Sequence, residues 1–130
     1  MNHKRSKVLI IDDDKDVLSA LRRMFINESF DVTLAQTCQE AWNVINQDDI
    51  KVVMSDERMP DMTGTRFLEL LKGEYPCIIR ILFTGYGDLQ VAKDAVNKAG
   101  IYKFITKPWD VTQLKAVIRA SIKLYDSKNK

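Results

Sequence analysis

At 130 residues, with 45% apolar and 29% charged side chains, the chain has the length of one domain and enough apolar mass to bury a core. Its 20 basic and 18 acidic residues leave a net charge of +2, a balance that gives no push toward nucleic acid or an anionic membrane. No apolar run approaches the ~20 residues of a membrane span, and no apolar signal-peptide segment follows the start MNHKRSK.

The first short apolar run is KVLII, Lys7–Ile11, followed at once by Asp12, Asp13 and Asp14. Val17, Leu18, Leu21, Met24 and Phe25 then recur at helical spacing, and a first helix is expected to reach Glu28. DVTLA (Asp31–Ala35) is the second expected strand; Ala41, Val44 and Ile45, flanked by Trp42, mark the second helix. KVVMS (Lys51–Ser55) runs straight into Asp56. Phe67, Leu68 and Leu71 mark a third helix, with Gly73 and Pro76 as its stop signals. IIRILF (Ile78–Phe83) leads to Thr84 and Gly85; Ala92, Ala95, Val96 and Ala99 form a fourth helical stripe, ended by Gly100. IYKFIT (Ile101–Thr106) leads to Lys107 and Pro108. Asp110 is a cap for a last helix carrying Leu114, Val117, Ile118 and Ile122. The stripes are read as core. Cys38 and Cys77 form no C-x-x-C, and both are expected as small buried residues in a reduced, cytoplasmic setting.

Strand and helix alternate five times, and most of the strands are continuous rather than alternating apolar runs, suited to cover on both faces. The expectation is an α/β fold: a doubly wound, five-stranded parallel sheet with helices on both faces. In such sheets ligands bind at the carboxyl ends of the strands. Asp12, Asp13, Asp56, Thr84 and Lys107 all fall there. Each has a bland reading of its own: a cap, a turn hydroxyl, a solvated charge. Gathered on one edge they favour a site, because clustered carboxylates are costly without a positive partner. Lys107 and a hard dication such as Mg2+ are the two candidates. A carboxylate, a metal, a hydroxyl and an ammonium together suit phosphoryl transfer, with a carboxylate able to serve as nucleophile.

The ordered motifs VLIIDDD, VVMSDERMPDMTG, ILFTGYGD and KFITKPWD resemble the receiver domain of bacterial two-component response regulators, over about Lys7 to Lys123. The resemblance implies a flavodoxin-like sheet of order 2-1-3-4-5, with residues 1–6 and 126–130 as polar tails around a receiver at 7–125. It implies that Asp56 accepts the phosphoryl group and that Asp12, Asp13, Asp56 and the backbone carbonyl of Arg58 hold Mg2+, with Mn2+ as a substitute. Thr84 and Lys107 would contact the phosphoryl oxygens, Thr84 and Phe104 would act as the switch, and Lys107–Pro108 would be a cis peptide. Asp14 receives no metal role.

The only histidine is His3, so a phosphohistidine donor must come from a partner, a histidine kinase or a histidine phosphotransfer protein docking on the first helix. The implied function is signalling: the face of the fourth helix, fifth strand and fifth helix switches for an output domain or a second copy. Such a domain is not a turnover enzyme beyond its own phosphorylation and dephosphorylation. No direct contact with nucleic acid or membrane is expected. Bulky Arg58 and Tyr86 would slow loss of the phosphoryl group. The wording of the motifs is similar to receivers joined to HD-GYP-type cyclic-di-GMP phosphodiesterases. Tyr102 and Lys103 depart from the acidic residues usual in receivers of winged-helix DNA-binding proteins. The sequence reads as a stand-alone receiver or a fragment of a longer protein. Two rivals stand beside this reading: a receiver-like module that binds partners without phosphorylation, and a haloacid-dehalogenase-type phosphatase using Asp12-x-Asp14. The second lacks the right residue order and has Asp16 where its motif calls for Thr or Val.

Overall fold

A computed structural model describes residues 5–85 and 89–129. The elements in chain order are β1 (Lys7–Ile11), α1 (Lys15–Met24), β2 (Asp31–Ala35), α2 (Cys38–Gln47), β3 (Ile50–Asp56), α3 (Gly64–Glu74), β4 (Ile79–Thr84), α4 (Leu89–Lys98), β5 (Lys103–Thr106) and α5 (Val111–Lys128). The strands form one parallel sheet in the order β2-β1-β3-β4-β5, as expected.

Side chains alternate across a strand, so each strand feeds two cores. Leu9, Ile11, Val53 and Leu82 pack on one face against Ala41 and Ile45 of α2, Phe67, Leu68 and Leu71 of α3, and Ala92, Ala95 and Ala99 of α4. Val8, Ile10, Val52, Met54, Ile81 and Phe83 pack on the other against Leu21 of α1 and Leu114, Val117 and Ile118 of α5. The three inner strands are almost wholly buried, whereas the edge strands β2 and β5 are partly open.

Side-chain caps fix where the helices begin. Asp14 accepts from the N–H of Asp16 at 2.9 Å, Thr37 from Glu40 at 3.1 Å, Thr63 from Arg66 at 3.1 Å and Asp110 from Gln113 at 2.8 Å. Gly100, with φ +59°, supplies the left-handed turn after α4 that a side chain would resist.

Several boundaries differ from expectation. The first helix stops at Met24 rather than Glu28; Phe25 remains in the core, and the Glu28 carboxylate turns to α5, meeting Arg119 at 2.7 Å and Lys115 at 3.4 Å. Gly73 lies inside the last turn of α3, which runs one residue further to Glu74, and open space surrounds the position of a Cβ there. β5 starts at Lys103, two residues after Ile101, since the chain first completes the turn at Gly100. Val96 sits on the outer side of α4 and is 41% exposed. Cys38 is buried but Cys77 is exposed, lying in the turn before β4. Arg5 and Ser6 bond to the segment around β2, and α5 continues to Lys128, with Asp126 paired to Lys51 at 2.6 Å. His3 and Tyr86 lie outside the described residues.

Candidate functional site

Alternation along the strands decides which expected site residues meet. Asp12 continues the series Val8, Ile10; Asp56 continues Val52, Met54; Lys107 continues Ile105. All three therefore emerge at the carboxyl end of the sheet on the α1–α5 side. Thr84 follows Leu82 on the opposite, α4 side, and Phe104 pairs with Leu82 in register. The site straddles the rim between the two cores.

Lys107 Nζ donates to Asp12 Oδ2 at 2.6 Å and lies 3.4 Å from Asp56 Oδ1. Asp12 is 1% exposed, and its other oxygen accepts the N–H of Asp14 at 2.9 Å. Burial works against the Lys107 ammonium, but Asp12 and Asp56 outweigh it and hold its pKa above the usual lysine value. Burial dominates at Asp56: it pushes the carboxyl up, Lys107 opposes, and the neighbouring charge of Asp12 adds to the rise. The Lys107–Pro108 peptide is cis, as expected.

Asp12, Asp13 and Asp56 each present an oxygen, all within 4.8 Å of one another, with Asp13 exposed and the other two buried. Three carboxylates facing one ammonium leave negative charge in excess, and an all-oxygen donor set of this kind fits a hard dication. Thr84 supplies a further signal. It is fully buried, and its hydroxyl has no hydrogen-bond partner among the described residues. An unpaired buried hydroxyl costs stability, so its retention beside the cluster points to an acceptor that arrives from outside. Phe104 is half-buried against the core that carries α4. The carbonyl that Arg58 was expected to contribute belongs to the loop that follows Asp56.

Asp14 is not part of the cluster; its carboxylate is spent capping α1, accepting from Asp16 and Val17. That removes the second acid of the phosphatase-like Asp12-x-Asp14 pair. On α4, Ala92 is fully buried, whereas Lys93 and Val96 are exposed on the face expected to switch.

Sequence reading missed four supporting residues. Glu57, 8% exposed, accepts from the Thr65 N–H at 2.8 Å and its hydroxyl at 2.6 Å, tying α3 to the end of β3. Gly64 lies so close to β3 that an added Cβ would overlap the Asp56 carbonyl oxygen. Phe83 places its ring 5.6 Å from Lys107 Nζ, and Trp109 packs on that ring at 5.3 Å between centroids. The Thr65 contact had a faint sequence signal, a threonine opening a helix after a buried carboxylate. The others depend on packing across the sheet.

The sequence model for the response regulator receiver domain matches residues 8–119. The chain is 35% identical over 122 residues to the hydrogenase transcriptional regulatory protein HoxA of Cupriavidus necator, covering 94% of this chain and 25% of that protein. It is 33% identical over 124 residues to the response regulator protein TodT of Pseudomonas putida, covering 95% of this chain and 54% of that one. The chain thus spans a quarter to about half of these relatives. Among solved structures, the signal receiver domain of an HD domain-containing protein from Pseudomonas fluorescens superposes with a TM-score of 0.91 at 27% identity, covering 95% of this chain and 99% of that one. That neighbour agrees with the wording of the motifs.

Proposed function

The chain belongs to the response regulator receiver family of two-component systems, and from that membership we propose that Asp56 is its phosphoacceptor. Receivers are signalling domains rather than turnover enzymes. The donor is the phosphohistidine of a histidine kinase or a histidine phosphotransfer protein. An Asp56 oxygen attacks the phosphorus, an O–P bond forms as the N–P bond breaks, and the departing imidazole nitrogen keeps the electron pair.

The observation that carries this reading is Lys107, held between Asp12 at 2.6 Å and Asp56 at 3.4 Å at the carboxyl edge of the sheet. The ammonium opposes the rise that burial imposes on the Asp56 carboxyl and so favours the ionised nucleophile. It can then follow the transferred charge onto a phosphoryl oxygen, a short step from its present contact. Asp12, Asp13, Asp56 and the backbone carbonyl of Arg58 would hold Mg2+ or Mn2+, which supplies charge compensation on the phosphoryl oxygens. The unpartnered Thr84 hydroxyl gains a charge-assisted hydrogen bond to the new group, stronger than a neutral one.

Movement of Thr84 toward Asp56 leaves room behind it, and Phe104, on the same face of the sheet, turns inward to fill it. The readout is the surface of α4, β5 and α5, where Val91, Val96, Tyr102 and Val111 are 37–46% exposed. An output domain or a second copy uses that surface, in the cytoplasm, without direct contact to nucleic acid or membrane. The phosphoryl group is lost again by hydrolysis within the domain.

The test is incubation with phosphoramidate, with and without Mg2+, followed by intact-mass measurement. One added phosphoryl group, dependent on the ion and absent in Asp56→Asn, supports the reading. No addition under any condition would leave the chain as a partner-binding module built on a receiver fold.

A further inference from the structure

Residues 57–63 join β3 to α3 without helix or strand. This loop leads away from Asp56 and carries Arg58. Its ends are tied: the Glu57 N–H donates to the Phe83 carbonyl at 3.1 Å, and the Gly64 N–H to the Glu57 carbonyl at 2.9 Å. Met59 and Met62 rest against the core. A further tie reaches a different element. Asp61 Oδ1 accepts from the Cys38 N–H at 3.2 Å and Asp61 Oδ2 from the Gln39 N–H at 3.1 Å.

Those two N–H groups are the first of α2, and a helix has no internal partner for them. Thr37 serves the next two, its hydroxyl accepting from Glu40 at 3.1 Å and its carbonyl from Ala41 at 3.1 Å. Glu40 in turn reaches back to the Gln36 N–H at 3.2 Å. The start of α2 is therefore complete only with a carboxylate from the loop, which also faces the positive end of the helix dipole. Burial would raise the Asp61 carboxyl, but the bonds from Cys38 and Gln39 prevail and hold it below the usual range.

We infer that Asp61 is a positioning residue for the metal-dependent step: by fastening the loop to α2 it places the Arg58 carbonyl beside Asp12, Asp13 and Asp56. This rests on the reading of that cluster as a Mg2+ site. A free loop would lose conformational entropy when the ion binds; a fastened loop has lost it already on folding. Asp61 stands five residues past Asp56, touches no reacting atom, and acts through the backbone.

Mg2+ titration of the full chain, followed by amide shifts of residues around Asp13 and Asp56, tests this. Asp61→Ala should weaken Mg2+ binding about tenfold, the low end for groups that orient metal ligands through others. Thr37→Ala removes the other cap of the same helix and should leave the Mg2+ affinity unchanged, so it separates positioning from simple fraying. Cys38→Pro deletes one donor to Asp61 at the first helical position, where proline is tolerated, after a Thr37 already extended at φ −136°, ψ 161°. It should weaken Mg2+ binding partway, and add nothing in combination with Asp61→Ala. Should Asp61→Ala not fold, Asp61→Asn keeps one acceptor and should show a smaller loss in the same direction. Unchanged affinity in the folded Asp61 variants, or an equal loss in Thr37→Ala, would overturn the inference. No Mg2+ binding by the unaltered chain would instead sink the metal reading, and this inference with it.

Discussion

Lys107 donates to Asp12 at 2.6 Å across 95 positions of sequence, joining the ends of β1 and β5, two strands that are not neighbours in the sheet. The acceptor is 1% exposed and the donor 25%, so the pair is neither a surface ion pair nor a fully buried one. Replacing Lys107 by Met leaves Asp12 and Asp56 facing each other uncompensated. We expect a loss of about 2 kcal/mol, below the roughly 3–5 kcal/mol of a fully buried pair. Mg2+ should restore part of it, so the melting temperature of Lys107→Met should rise more on adding Mg2+ than that of the unaltered chain. Thermal melts with and without the ion would check this.

Asp56 carries a pH signature. Its pKa is raised on folding, chiefly by burial. A carboxyl so shifted favours the folded state below its unfolded value, about 4, and that advantage is lost as pH rises through the higher folded value. Without metal, Asp56→Asn should therefore be more stable than the parent at pH 7, by about 3–5 °C in melting temperature. The gap should narrow toward pH 4 and should also shrink when Mg2+ is added, because only the parent can use the ion. A constant gap across pH would mean the substitution acts through packing alone.

Thr84 buries a hydroxyl without a partner among the described residues. Thr84→Val keeps the shape and removes the unpaired group, which should raise stability by about 1 kcal/mol in the unphosphorylated state. The same variant should still accept a phosphoryl group at Asp56, yet fail to shift the amides of α4 and Phe104 when a beryllium fluoride adduct is formed. An α4 response equal to that of the parent would show that Thr84 is not the relay.

Gly64 is needed for closeness rather than for an unusual backbone angle. A Cβ there would overlap the Asp56 carbonyl oxygen, a backbone atom that cannot swing aside as the end of a side chain could. Gly64→Ala must push α3 away from β3. We expect more than about 2 kcal/mol of destabilisation, at the high end for one substitution. Phosphorylation should slow in the variant that remains folded, since the displaced carbonyl belongs to the acceptor residue itself.

The fold was legible because it is written in short-range patterns. Short apolar runs, most of them continuous, marked the five strands, helical spacing marked the helices between them, and Asp110 marked the start of α5. The site was legible because the sheet topology sends every strand end to one edge, so Asp12, Asp56, Thr84 and Lys107 needed no contact map to be grouped. What escaped was set by tertiary packing. Val96 follows the apolar pattern of α4 but falls on its solvent side. Cys77 reads as a buried residue but sits in an exposed turn. The first helix looks continuous to Glu28, yet α1 ends at Met24 and that carboxylate pairs with Arg119 and Lys115 of α5. Asp61 and Glu57 drew no reading of their own, because Asp61 bonds two backbone N–H groups of α2 and Glu57 the N–H and hydroxyl of Thr65, contacts that no sequence pattern displays.

The most direct test is chemical mapping of the acceptor. The chain is treated with phosphoramidate and Mg2+, then reduced with borohydride, which converts an aspartyl phosphate to homoserine, and digested for peptide mass spectrometry. The account predicts homoserine at position 56, with Asp12, Asp13 and Asp14 unchanged and no conversion when Mg2+ is withheld. Homoserine at any of the other acids with position 56 unmodified, or conversion at 56 that proceeds equally without the ion, would contradict it.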